Sequence, residues 1–221
     1  MTPPPRRPVT VWDLPVRLSH WLAAALVAAL WVSERWNWMD WHVLAGETLL
    51  ALLLFRLLWG LFGSETARFA RFLASPRAAL HHLAHLFARE PDDEPGHNPA
   101  GGWMVVALLG LMTAECLTGI FVNNDVADEG PFTELAPAWF SNLMTDLHTI
   151  LFQALIAAVT LHIATVVLYF LLKGQNLVRP MLTGTKTLPT TTRPPKLASP
   201  TRALLLLALA TAATAALATW G

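Results

Sequence analysis

The sequence predicts an all-α integral membrane protein: a four-helix transmembrane bundle followed by a fifth, C-terminal transmembrane helix. Three observations carry this expectation. The 221 residues are 54% hydrophobic and 14% charged, with mean hydropathy +0.46, which is membrane composition with no second soluble domain. Apolar runs long enough to cross a hydrocarbon core of ~30 Å recur along the chain. Histidines recur within those runs, where an ionisable side chain is costly and is read first as functional.

The N-terminal stretch MTPPPRRPVTVWDLPVRLSH leads into the apolar run Trp21–Val32. A secretory signal peptide opens similarly, but this run ends in Trp31–Trp36 (WVSERW) with no small-residue cleavage site. Residues 15–34 therefore read as a retained first span. Trp41–Leu61 is the second, Trp103–Val122 the third and Leu143–Leu172 the fourth, the last long enough to tilt and project beyond the hydrocarbon. Between the second and third, Pro76–Glu90 sets Leu80, Leu83, Leu86 and Phe87 at helical spacing, as expected of a helix lying on the membrane surface. Leu188–Pro200 is rich in Pro and Thr and reads as a linker, and Ala203–Trp220 reads as the fifth span. The expected division is a transmembrane domain over residues 1–186, a cytoplasmic linker over 187–201 and a fifth helix over 202–221.

Net charge is zero, so meaning lies in where the charges sit. Of the fifteen Lys and Arg residues, only Arg35 falls on the side opposite the rest. The positive-inside rule then puts the N-terminus in the cytoplasm. The loop Asn123–Asn142 lies outside, with Asp125, Asp128, Glu129, Glu134 and no base. Such a loop either steers a basic soluble partner, such as a c-type cytochrome, or is merely solvated. No nucleic-acid partner is expected; membrane lipid is. The ten tryptophans mark interfaces, as in the group Trp36, Trp38 and Trp41. The single cysteine, Cys116, can form no internal disulfide, and the absence of C-x-x-C-H excludes covalent c-type haem attachment.

The fourth run is the organising element. Asp146–Lys173 carries His148 and His162 fourteen positions apart, or ~21 Å along a helix axis. They fall roughly 40° from alignment, a gap that a left-handed bundle closes. His20 begins the first span on the inner side and His42 begins the second on the outer side. Each membrane level thus holds two imidazoles from different helices, His42 with His148 outside and His20 with His162 inside. His81, His82, His85 and His97 fall in the cytoplasmic connection. For one histidine alone, a hydrogen bond to a neighbouring helix is an equal reading; the stacked pair favours a cofactor.

Two neutral imidazoles saturate both axial positions of a haem iron and leave electron exchange as its chemistry. Two levels of two imidazoles would fit two haems. A haem-free, histidine-based metal transporter would instead gather carboxylates beside the histidines at one midplane site on broken helices. Glu47 and Glu115 are the only span acids that could support such a reading, and the spans read as unbroken. A membrane anchor subunit of a redox complex is the other alternative.

Four further residues are candidates for cofactor contact. Arg56 lies fourteen residues after His42, at the inner level, where a guanidinium would fork onto haem propionates or snorkel to headgroups. Gly46, one turn after His42, would let a flat macrocycle approach the backbone, or would serve plain helix packing. His97 and Asn98, in the loop GHNPAGG, would meet a quinone, with His97 passing protons near neutral pH. Alternatively Asn98 caps the third span, the glycines only turn the chain, or the loop holds propionates.

LSHW at the first span, WHVLAG with Arg56 beyond it, GHNPAGG before the third, and LH-x13-H followed by KGQNLVRPMLTG together resemble the bacterial cytochrome b561 family. That family is related to the cytochrome b subunits of nickel–iron hydrogenases. The resemblance covers about residues 10–186 and leaves the linker and fifth span outside it. It implies two non-covalent b haems, His20 and His162 ligating one and His42 and His148 the other, the pairing reached independently from membrane level. It further implies electron transfer across the membrane between the quinone pool and a redox partner, such as a c-type cytochrome or an iron–sulfur subunit. A homodimer is compatible with this reading, as is a place within a larger quinone-linked oxidoreductase.

Overall fold

The computed structural model describes residues 4–85, 93–123 and 130–219. In chain order it contains β1 (Arg6–Thr10), α1 (Leu14–Arg35), α2 (Met39–Phe62), α3 (Phe69–Phe72), α4 (Pro76–Ala84), α5 (Pro99–Gly119), α6 (Ala138–Lys173), α7 (Val178–Thr183), β2 (Thr185–Pro189) and α8 (Pro200–Ala218). Five of these, α1, α2, α5, α6 and α8, are long and apolar enough to cross a membrane, so the expected all-α membrane fold is the observed one. Leu86 and Phe87 of the surface stretch, Asp125, Asp128 and Glu129 of the acidic loop, and Trp220 lie outside the described residues.

The third span starts earlier and ends earlier than hydropathy indicates, at Pro99 and Gly119 rather than Trp103 and Val122. Asn98 explains the start: its Oδ1 accepts from Gly101 N–H at 2.7 Å, and Pro99 follows as a first helical residue that needs no donor. After Gly119 the backbone turns, with Gly130 N–H donating to Val122 O at 2.7 Å and Phe132 N–H to Ile120 O at 2.9 Å.

The chain divides into two compact units. The first comprises Met1–Leu18, Leu58–Ala107 and Val159–Ala203. Its centre is Asp13, whose Oδ1 caps α1 by accepting from Val16 N–H at 2.8 Å while Oδ2 accepts from Trp59 Nε1–H at 3.0 Å. Trp59 is fully buried. β1 and β2 pair antiparallel, Arg6 opposite Pro189 through Thr10 opposite Thr185; a two-stranded ribbon tolerates Pro8 because each strand keeps an open edge. Gly184 ends α7 in the left-handed region, φ 82°, and its carbonyl accepts from Val11 and Trp12 N–H. A side chain there would meet Trp12 O at 2.9 Å, so the position demands glycine.

The Pro/Thr-rich stretch that reads as a linker is docked in this same unit. Glu65 N–H donates to Lys196 O at 2.9 Å, Lys196 N–H returns to Glu65 Oε2 at 3.0 Å, and Ala198 N–H donates to Ser64 Oγ at 2.9 Å. The Lys196 N–H holds the Glu65 carboxyl below the usual carboxylate range. On α4, Ser75 caps the helix through Ala78 N–H, and Leu80 and Leu83 are exposed, the face a surface helix would lay into lipid.

The second unit comprises Ser19–Leu57, Leu108–Ala158 and Leu204–Gly221. Asn37, at φ 55°, turns the chain between α1 and α2, beside the stacked rings of Trp36 and Trp38. Cys116 lies buried on α5, its thiol 3.8 Å from Gly46 O.

Candidate functional site

Within the second unit the structure brings His42 and His148 together, one ring edge-on to the other. Their ring centroids are 6.5 Å apart, with the planes at 78°. Each Nδ1 faces a backbone carbonyl and a hydroxyl from a neighbouring helix. His42 Nδ1 lies 3.1 Å from Leu30 O and 3.3 Å from Ser33 Oγ. His148 Nδ1 lies 3.0 Å from Glu115 O and 3.2 Å from Thr118 Oγ1. Both hydroxyls donate to backbone carbonyls, Ser33 to Leu30 O and Thr118 to Ala114 O and Glu115 O, all at 3.0 Å. A carbonyl only accepts, so each imidazole carries its proton on Nδ1 and keeps the Nε2 lone pair for a metal.

That donor set fits a haem iron. His42 and His148 would hold the iron through their Nε2 nitrogens, and it would supply one-electron exchange there. Among the described residues no three His, Cys, Asp or Glu side chains gather into a metal-binding group. The two imidazoles form a pair, as axial ligation requires. A side chain at Gly46 would meet nothing nearer than Leu30 Cδ2 at 3.9 Å, so the α2 face one turn from His42 has room beside it. Gly119 matters more: a Cβ there would stand 3.0 Å from His148 Cε1, so its absence lets the imidazole lie against α5. Glu115 places Oε1 3.6 Å from His148 Nδ1, which makes this span acid a neighbour of the imidazole pair. Glu47 is half-buried.

Arg56 is 8% exposed, so its guanidinium is enclosed by protein rather than extended outward to headgroups. His20, on α1, lies edge-on to Trp21 with ring centroids 5.0 Å apart. His162, on α6, is half-buried. His20 and His162 belong to different units.

In the first unit, His97 packs its ring between Trp12 and Phe72, with centroids 4.6 and 4.9 Å away. It lines a cavity of ≈ 450 Å³ together with Phe72, Gly96, Pro194 and Pro195, and with Arg71 and Glu94 among its polar groups. The docked C-terminal stretch thus supplies part of the wall. Asn98 is engaged at both ends of its amide, Oδ1 capping α5 and Nδ2 donating to Tyr169 Oη at 3.1 Å.

Ser33, Thr118, Gly119 and Tyr169 are the site residues that sequence reasoning missed. Tyr169 left a legible trace, since His148, Leu155, His162 and Tyr169 recur every seventh residue on one face of α6. Leu155 and Tyr169 are both buried. Ser33 and Thr118 left none, because a hydroxyl in an apolar helix ordinarily bonds its own backbone.

Spanning helices that bring two imidazoles together, each with Nδ1 committed to a backbone carbonyl, fit a membrane cytochrome of the b type. Residues 11–184 match the family described as prokaryotic cytochrome b561, and the chain belongs to that family. No curated protein matches it. The chain is a multi-pass bacterial membrane protein that binds haem b and serves in electron transfer.

Proposed function

We propose that the chain holds two b haems, one between His42 and His148 near the outer surface and one between His20 and His162 near the cytoplasm. On this reading it carries electrons across the membrane between a redox partner outside and the quinone pool, with the N-terminus in the cytoplasm. The opposed imidazoles of His42 and His148, both with Nδ1 committed to carbonyl oxygens, are the observation that carries it. Bound haem supplies one-electron exchange at iron whose axial positions are filled. Leu30 O and Glu115 O orient the imidazoles and raise their basicity. The buried guanidinium of Arg56 would pair with the anionic propionates of a bound haem. The alternative of a histidine-based transporter has no comparable support, since the family is one of cytochromes.

The cavity beside His97 is the quinone site on this reading. It offers aromatic and proline walls for a flat ring and an imidazole as hydrogen-bond partner. His97→Leu is expected to leave the haem spectra unchanged while slowing reoxidation of the reduced protein by quinone, followed by stopped-flow absorbance. Native reoxidation kinetics in that variant would refute the role of His97. Loss of a haem would assign the loop to propionates instead.

A further inference from the structure

The stretch that follows β2 lies beyond residues 11–184, which match the family, yet it builds part of the wall of the His97 cavity. It is fastened at both ends within the first unit. At its start Thr190 N–H donates to Pro5 O at 2.9 Å. At its end Lys196 N–H is held by Glu65 Oε2 and Ala198 N–H by Ser64 Oγ. Between these anchors Arg193 is followed by Pro194 and Pro195, and all three border the cavity. Each proline fixes its own φ, and the residue before a proline is kept out of the helical region, so the backbone carrying Arg193 has little freedom. The stretch that leads to His97 is tied down as well. Asp93 Oδ1 lies 2.8 Å from Arg6 Nη1, and Glu94 O accepts from Lys186 Nζ at 2.7 Å. Arg6 and Lys186 belong to β1 and β2, so the ribbon steadies this part of the wall.

A quinone carries two carbonyl oxygens on opposite edges of a flat ring, and each is held best by a hydrogen-bond donor. His97 serves one of them. The other side chains bordering the cavity that can donate are Thr66, Arg71 and Arg193. Thr66 Oγ1 donates to Val11 O at 2.7 Å, and Arg71 Nη2 lies 3.6 Å from Glu65 Oε1. Glu65 and Glu94, as carboxylates, only accept. Among the described residues, that leaves Arg193. Its charge also acts on the Glu65 carboxyl, but less than the Lys196 N–H or Arg71 does. A guanidinium stays charged at every working pH and presents five N–H groups in a planar fork.

We propose that Arg193 is the second hydrogen-bond donor to the quinone, and that the fastened stretch 190–198 positions it. This rests on the quinone reading of the His97 cavity. Arg193 touches the ligand, whereas Ser64 acts through the backbone it holds and is a positioning residue. The specificity of the site then depends on a segment outside the residues that match the family.

The test uses the full-length haem-loaded protein, reduced with a stoichiometric amount of dithionite and mixed with a short-tailed benzoquinone in a stopped-flow instrument. Haem reoxidation should accelerate to a limit as the quinone concentration rises. Arg193 is exposed, so its replacement does not threaten folding. Arg193→Ala should raise the half-saturating concentration roughly 10- to 100-fold, the scale of one hydrogen bond from a charged donor. The limiting rate and the haem spectra should not change, as for a contact made equally before and during the reaction. Ser64 is buried and does not border the cavity. Ser64→Ala should raise the half-saturating concentration about 5-fold, the scale of one neutral hydrogen bond, again with the limiting rate unchanged. A native half-saturating concentration in Arg193→Ala, beside slowed reoxidation in His97→Leu, would overturn the role of Arg193 and leave the quinone reading standing. Native behaviour in both of those variants, or failure of the native protein to reduce the quinone, would end both. Loss of a haem in Arg193→Ala would make the residue structural and overturn the contact.

Discussion

Replacing His148 by alanine is expected to remove one haem from the protein and leave the other with an unchanged spectrum. On the proposed pairing, the imidazole opposite His42 would supply one of the two nitrogens that hold a haem at this level, and a methyl group would supply none. The hydroxyl and carbonyl that fix His148 Nδ1, Thr118 Oγ1 and Glu115 O, would lose their partner as well. A half-ligated site bordered by displaced polar groups would not retain the cofactor through purification. His42→Ala should give the same result, because Leu30 O and Ser33 stand toward it as Glu115 O and Thr118 stand toward His148. His20→Ala and His162→Ala should remove the complementary haem. Redox titration of the four variants, followed in the α-band, separates the two sets. If His20→Ala and His148→Ala deleted the same haem, the pairing would be wrong.

The second large effect is on stability and arises at Asp13. Its carboxylate both caps α1 and receives the indole N–H of the fully buried Trp59. Asp13→Ala loses the cap, at about 1 kcal/mol, and leaves a buried indole donor unsatisfied, at roughly 1–3 kcal/mol more. The sum is a destabilisation of about 2–4 kcal/mol, read from denaturant unfolding in detergent. Trp59→Phe, which removes the donor but keeps a ring, separates the two contributions. A change below ~0.5 kcal/mol in Asp13→Ala, typical of an indifferent surface substitution, would contradict this account.

Much of this was legible in the sequence, for a physical reason. A membrane demands long apolar helices, so α1, α2, α5, α6 and α8 announce themselves by composition alone. An ionisable residue inside such a run is rare enough to be noticed, and helical rise converts its position into a depth. His42 and His148 were matched by that arithmetic and stand opposite one another in the structure. What escaped notice obeys no such periodicity. β1 and β2 pair segments almost two hundred residues apart, each short, polar and containing proline. Nothing local distinguishes them from loops. The stretch Leu188–Pro200 has a linker's composition, yet Glu65 and Ser64 hold its backbone by hydrogen bonds that composition does not encode. Asn98 reads from the sequence as a cap or as a quinone contact; the structure shows the cap, through its side-chain oxygen, and gives its amide to Tyr169, a partner the sequence does not announce. Gly46 drew attention as a possible close approach, but Gly119 is the glycine against which a histidine ring lies.

The most direct test of the central claim is haem stoichiometry. Purified full-length protein, extracted with pyridine and alkali, gives a haemochrome spectrum whose band positions identify haem b and whose intensity, set against total protein, counts it. The account predicts two non-covalent haem b per chain, each reducible and each with the low-spin spectrum of bis-histidine ligation. One haem per chain, or none, would contradict it.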